Sequence, residues 1–173
     1  MKGVILCASS KNTTRITKEY INEYYVDVEW VYLDTDSTTN PNYIGSMFDL
    51  NILTKMGLHQ YDIVIIDVGF LAASLIKEGY NVKEGQLLSA CLLAKMGARV
   101  IYTQLVKQYI TELFMKNKNL DLNYLRSNVK VVNNLISELG KSVGLELLNI
   151  DTREKSVNGR PFKYDYVSFT RIN

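Results

Sequence analysis

Residues 61–67 read YDIVIID, an uninterrupted apolar stretch between two acidic or aromatic ends. A half-buried strand alternates apolar and polar positions. A strand that is apolar on both faces is covered on both faces, which is the condition of a strand inside a parallel sheet. This one segment therefore predicts an α/β architecture with helices above and below the sheet. The rest of the chain supplies them. Strand-like KGVILCA is followed by TTRITKEYINEYY, with Ile16, Tyr20 and Tyr24 at helical spacing, and then by β-rich VEWVYLD. STTNPNYIGS reads as a turn or loop. MFDLNILTKMGLHQ reads as a helix with Met47, Leu50, Leu53 and Leu58 on one face, and VKEGQLLSACLLAKMG as a helix stopped by Gly97. ARVIYT and LELLNI are further strands, separated by a mostly helical region from about 105 to 143. The predicted fold is a three-layer, doubly wound, mostly parallel sheet of about five strands, Rossmann-like or flavodoxin-like. All 173 residues fit one such domain, with 151–173 as a C-terminal arm or hairpin around the turn-forming Asn158-Gly159.

Composition narrows the function. Apolar residues make up 47% and charged residues 22%, which is enough apolar material for a real core. The net charge is +2 and no local Lys/Arg cluster stands out, so no nucleic-acid partner is expected. The apolar run near the N-terminus is too short for a signal peptide, and no stretch reaches the roughly 20 apolar residues of a membrane span. A cytoplasmic location without a membrane partner follows. Cys7 and Cys91 match no metal spacing and read as buried free thiols. His59 is the only histidine, at the end of a helical stretch, and is a poor candidate for a catalytic triad.

Ligands of doubly wound sheets bind beyond the carboxyl ends of the strands. CASSKNTT lies at one such end. Ser9, Ser10, Asn12, Thr13 and Thr14 precede a helix there and could meet an anion, although Thr13 or Thr14 could equally be a helix cap. The loop is neither a P-loop nor a dinucleotide fingerprint. The acidic candidates are Asp34 and Asp36 after the second strand, Asp49 in the next helix, Asp67 ending YDIVIID, and Glu78 and Glu84 around GYNVK. Glu84 opens a helix, where the dipole alone favours a carboxylate. Facing the sheet edge it would be a nucleophile of the kind that forms glycosyl intermediates.

MFDLNILTKMGLHQYDIVIID, EGYNVKEGQLLSACLLAKMGARVIY, CASS and the tail NGRPFKYDYVSF together resemble the nucleoside 2-deoxyribosyltransferases and the related deoxynucleotide N-hydrolases. The resemblance implies cleavage or transfer at the N-glycosidic bond of a nucleoside or nucleotide. It makes Glu84 the nucleophile and Asp49 and Glu78 the catalytic acids that position substrate. Ser9 and Ser10 become phosphate or sugar contacts, with Asn12, Thr13 and Asp67 lining the same site. The implied enzyme needs no cofactor and no metal. It takes a small nucleoside or nucleotide as its partner and forms a homo-oligomer through the aromatics Phe162, Tyr164, Tyr166 and Phe169 of the arm. The chain departs from the family pattern where Leu6 and Cys7 replace a tyrosine of the first strand, where Glu78 replaces an aspartate, and where Gly85 breaks the E-x-G string. Two alternatives stand beside this reading. SSKNTTRITKEYI also resembles the phosphate loop of flavodoxins and FMN reductases, which would make the protein an FMN-binding oxidoreductase. The third class is a non-catalytic nucleotide-binding or interaction module on the same sheet.

Overall fold

Strand β4 (Tyr61–Asp67) lies at the centre of the sheet and explains its own sequence. In the computed structural model, which describes residues 1–67, 82–105 and 129–173, Ile63, Val64, Ile65 and Ile66 are all buried. Val64 and Ile66 join Val4, Leu6 and Val100 in the core under one helical layer. Ile63 and Ile65 join Ile5 and Ile101 under the other. A strand packed on both faces has no polar side to show, which is why YDIVIID does not alternate.

The remaining elements, in chain order, are β1 (Lys2–Leu6), α1 (Arg15–Tyr24), β2 (Glu29–Asp34), a 3-10 turn at Ser37–Thr39, β3 (Tyr43–Ile44), α2 (Leu50–Met56), α3 (Val82–Leu93), β5 (Ala94–Leu105), α4 (Val129–Ser142), β6 (Leu145–Val157) and β7 (Arg160–Arg171). The sheet order is β3-β2-β1-β4-β5-β7-β6, seven strands among the described residues. The pairs from β3 to β5 are parallel, whereas β7 runs antiparallel to both β5 and β6. The expected α/β, mostly parallel sheet is present, but about five strands was too few. β3 is only two residues long and lies within a polar loop, and β7 lies in the segment read as an arm or hairpin. Among the described residues, no helix is long and apolar enough to cross a membrane.

The tail is part of the sheet. Asn158 and Gly159 both take left-handed dihedrals, at φ 52° and 74°, and join β6 to β7 in a tight turn. Tyr164, Tyr166 and Phe169 of β7 are buried in this chain's own core. They are therefore not available as anchors for a neighbouring subunit. Burying each aromatic ring stabilises the fold by about 1.5–3 kcal/mol, a larger return than an exposed arm could have.

Two helix expectations are corrected. Asp49 is the N-cap of α2, accepting the Asn51 amide at 2.9 Å, so the helix begins after it. Met47 and Leu53 are buried but Leu50 is 58% exposed, so these residues do not share one face. Gly97 does not stop α3, which ends at Leu93. It takes φ 75° inside an irregular stretch of β5, where the pairing jumps from Tyr61–Ala94 to Ile63–Arg99.

Gly3 shows how closely β1 packs. A Cβ there would lie 2.5 Å from Cζ3 of Trp30 and 2.7 Å from Cγ1 of Val28. Gly3→Ala is expected to lower stability by about 1–3 kcal/mol through overpacking. Urea unfolding followed by circular dichroism reads this. An unchanged midpoint would mean that Trp30 moves aside freely.

Candidate functional site

Strand β1 pairs with β2 on one side and β4 on the other. The chain therefore leaves β1 in one direction and returns in the opposite one, and a crevice opens beyond the carboxyl ends of these strands. Three segments meet there: the loop from Cys7 to Thr14, the end of β2 at Asp34, and the end of β4 at Asp67.

Asp67 is buried and accepts hydrogen bonds through both oxygens. Its Oδ2 accepts the backbone N–H of Thr14 at 2.7 Å, and its Oδ1 accepts the hydroxyls of Thr14 at 2.6 Å and Thr17 at 3.0 Å. Thr17 and Thr103 hydroxyls are 2.9 Å apart. Asp67 thus ties the N-terminus of α1 to β4 and β5. Burial raises its pKa, while the bonds from Thr14, Thr17 and Thr103 oppose that rise.

The loop is closed on itself. The Ser9 amide donates to Oδ1 of Asn12 at 2.6 Å, Ser9 Oγ accepts the Lys11 amide at 3.2 Å, and the Ser9 carbonyl accepts both the amide and the hydroxyl of Thr13. Asn12 Nδ2 then donates to Oδ2 of Asp34 at 2.7 Å. Oδ1 of Asp34 accepts the Asp36 amide at 3.2 Å. Ser9, Asn12 and Thr13 therefore shape the loop and orient Asp34, and Ser10 is exposed on its outside.

Cys7 turns the chain out of β1 at φ 66°, a left-handed conformation rarely adopted by a residue with a side chain. Its thiol points at Met47, with Sγ 3.2 Å from Sδ. Burial, then the charges of Asp67 and Asp34, push the thiol up to about 12, so it stays protonated and is not a nucleophile at neutral pH. Beside Met47, Phe48 is 49% exposed, and its ring seats on the α3 backbone. A Cβ added at Gly85 would lie 3.1 Å from Cε1 of that ring. Asp49 is exposed next to Phe48, and half-buried Glu84 lies in the first turn of α3.

The expected residues are thus divided. Ser9, Asn12, Thr13 and Asp67 converge at the crevice, with Asp34 between them. Asp49 and Glu84 flank it from α2 and α3, and Glu78 lies outside the described residues. The sequence reading passed over Phe48 and the Thr14–Thr17–Asp67 network. The signal for the first was a glycine, Gly85, in a helix's opening turn. For the second it was two threonines three residues apart at a helix start. Among the described residues, no group of His, Cys, Asp or Glu is arranged to hold a metal ion.

No protein-family model and no curated protein matches the sequence. Solved structures do match the fold. The 16S rRNA (adenine(1408)-N(1))-methyltransferase from Catenulisporales acidiphilia aligns with a TM-score of 0.61 at 10% identity, over 99% of this chain and 88% of that one. A SAM-dependent methyltransferase from Methanosarcina mazei aligns at 0.59 with 9% identity, over 99% and 92%. A putative sarcosine dimethylglycine methyltransferase from Galdieria sulphuraria aligns at 0.56 with 11% identity, over 99% and 78%.

These matches overturn the resemblance to nucleoside 2-deoxyribosyltransferases and N-hydrolases. With it go the N-glycosidic reaction, the hydrolase and deoxyribosyltransferase readings, and the cofactor-free enzyme. The FMN-binding and non-catalytic alternatives go too. The physical reasons are local. The strings that carried the resemblance are parts that any doubly wound sheet needs: an apolar central strand, a carboxylate in a first helical turn, and a small-residue loop. Asp49, read as a catalytic acid, caps its helix. Asp67 holds the start of α1 through Thr14 and Thr17. The aromatic tail is an internal strand.

Proposed function

We propose that this chain is a methyltransferase that uses S-adenosylmethionine, held across the carboxyl ends of β1, β2 and β3. The observation that carries this reading is the whole-chain match to solved methyltransferases, which covers most of their length as well. The residues at the crevice fit the adenosine part of that molecule. Asp34 is 5% exposed and each of its oxygens accepts one bond. A carboxylate oxygen has two acceptor positions, so both retain capacity for a ribose diol. Phe48 offers a half-exposed aromatic face for the base. The Asp49 carboxylate beside it can accept from an exocyclic amino group. Gly45, whose amide donates to the Asp34 carbonyl at 2.9 Å, fixes the distance between the β2 end and the Phe48 segment.

When bound, the cosubstrate supplies a sulfonium methyl group to a lone pair of the acceptor. The chain's own part is to hold and orient. Asp34 fixes the ribose, Phe48 the base, and the protonated Cys7 with Met47 gives the crevice an apolar, polarisable wall. Glu84, at the rim, is placed to receive a proton from the acceptor.

Isothermal titration with S-adenosylmethionine tests the reading. The expected result is saturable binding, weakened about 5- to 150-fold in Phe48→Ala by loss of roughly 1–3 kcal/mol of base stacking. Phe48 is half exposed, so the fold should survive its loss. No binding by the wild-type chain would overturn the methyltransferase reading.

A further inference from the structure

The hairpin of β6 and β7 closes through the turn at Asn158-Gly159. Among the described residues, β5 pairs with β7 only as far as Tyr164, so Arg160–Lys163 pair with β6 alone. Strand β6 of this hairpin runs antiparallel along α1. Arg153 bonds Glu23 with Nη1 to Oε2 at 2.7 Å, and Lys155 bonds Glu19. Each two-residue step of the strand covers about 6.6 Å, and each four-residue step of the helix about 6 Å. One further step brings the end of β6, and Arg160 opposite it on β7, level with Arg15.

This register gathers cations that the sequence keeps apart. Lys11, Arg15 and Lys18 come from the loop and α1, and Arg153, Lys155 and Arg160 from the hairpin. The carboxylates among them are Glu19, Glu23, Asp151 and Glu154. The first three are already paired to Arg15, Arg153 or Lys155, and exposed Glu154 alternates to the other face of β6, at the position opposite Lys163 on β7. Lys11, Lys18 and Arg160 are exposed and make no ion pair among the described residues. Arg15 keeps 84% of its side chain exposed despite its contact with Glu19. The cationic surplus lies at the carboxyl edge of the sheet, beside the crevice.

We propose that this face binds the phosphate backbone of a nucleic acid and presents it to the crevice. The choice of partner rests on the methyl-transfer reading, which gives a reason for an acceptor at this edge. A polyanion with regularly spaced phosphates suits a row of cations on a helix and an adjacent ribbon. An anionic membrane fits less well. Membrane docking needs several apolar side chains among the cations. Of the exposed large apolar residues described, Tyr24 lies beside Arg153, whereas Ile44, Phe48, Leu50 and Leu88 belong to β3, α2, α3 and their surroundings. The absence of a nucleic-acid partner, expected from the sequence, is replaced here by its opposite, because this patch is assembled from residues more than a hundred positions apart.

Fluorescence anisotropy tests it on the full chain. The probes are a labelled single-stranded RNA, the same sequence as DNA, and vesicles of phosphatidylcholine with phosphatidylserine, each across a salt titration. The expected result is binding of RNA, DNA or both, with log affinity falling linearly with log salt. Arg15→Ala combined with Arg160→Ala should weaken it at least about tenfold and reduce the salt slope by about 2. Lys95→Ala, on the opposite edge, should change neither. Both substituted arginines are exposed, and circular dichroism confirms that the fold is kept. The inference is overturned if neither nucleic acid binds, if the double variant keeps affinity and slope, or if only vesicles bind. Patch-dependent nucleic-acid binding without S-adenosylmethionine binding would instead sink the methyl-transfer reading and leave this face standing.

Discussion

Asp67→Ala is expected to destabilise the protein by about 2–3 kcal/mol, the largest stability effect of any single polar side chain at the crevice. Three hydrogen bonds to a carboxylate are lost, each worth about 1.5–3 kcal/mol, and the partly buried amide at the start of α1 loses its acceptor. Removing the desolvation of the carboxylate offsets part of that loss but not all of it. Guanidinium unfolding measures the difference. A change below about 0.5 kcal/mol, the range of ordinary surface substitutions, would show that water replaces the carboxylate and that α1 does not depend on it.

The same residue sets a pH signature. Burial raises the Asp67 pKa above its ordinary value of 3.8. The folded state therefore holds the proton more tightly than the unfolded chain does. The stabilisation from that proton is fully present below the unfolded value and is lost as pH rises through the folded one. A titration of stability from acid towards neutral should show the wild type falling relative to Asp67→Ala over that window. The opposite slope would mean that the threonine bonds outweigh burial.

The second large effect concerns binding. Asp34→Ala should weaken S-adenosylmethionine by at least about tenfold and up to a few hundredfold, since hydrogen bonds to a charged acceptor contribute about 1.5–3 kcal/mol each. Asn12 would lose the partner of its Nδ2, so the loop must be checked separately. Asn12→Ala serves as that check. It removes the loop bond to Asp34 but keeps the carboxylate, and should cost less affinity than Asp34→Ala. Equal affinities for the wild type and Asp34→Ala would remove Asp34 from the site. The Phe48 and Asp34 losses should also add within about 0.5 kcal/mol if the two side chains hold different parts of the ligand.

The layers of the fold were legible because burial writes itself into periodicity. YDIVIID could only be central, and the spacing of Ile16 and Tyr20 could only be one face of a helix. β3 was illegible because two residues carry no period at all. β7 was illegible as an internal strand because RPFKYDYVSFTR mixes polar and aromatic positions. Its alternation reflects two different surroundings, the aromatic cluster with Tyr20 on one face and Asp165 bonded by Thr152 on the other. At the crevice, the sequence pointed to the correct loop for a different reason. Ser9, Asn12 and Thr13 looked like donors for a ligand, yet their donors close the loop. A string of residues shows hydrogen-bonding capacity, but only tertiary structure shows where that capacity is already used. Phe48 read as one more apolar residue of a helix. It becomes distinctive only because Gly85, far away in sequence, leaves room for its ring.

The position of β7 has a consequence for assembly of the chain itself. Strand β5 pairs with β4 on one edge, and on the other it waits for β7, which must first turn back from β6 through Asn158-Gly159. Until that hairpin arrives, β5 offers an open row of backbone donors and acceptors beside the apolar Val100, Ile101 and Tyr102. Such an edge recruits strands from other molecules, and its partner here comes from far along the chain, so the exposed interval is long. Folding yield should therefore be governed by the speed of this single turn, and crowded, fast synthesis should favour aggregates seeded at β5 over native protein.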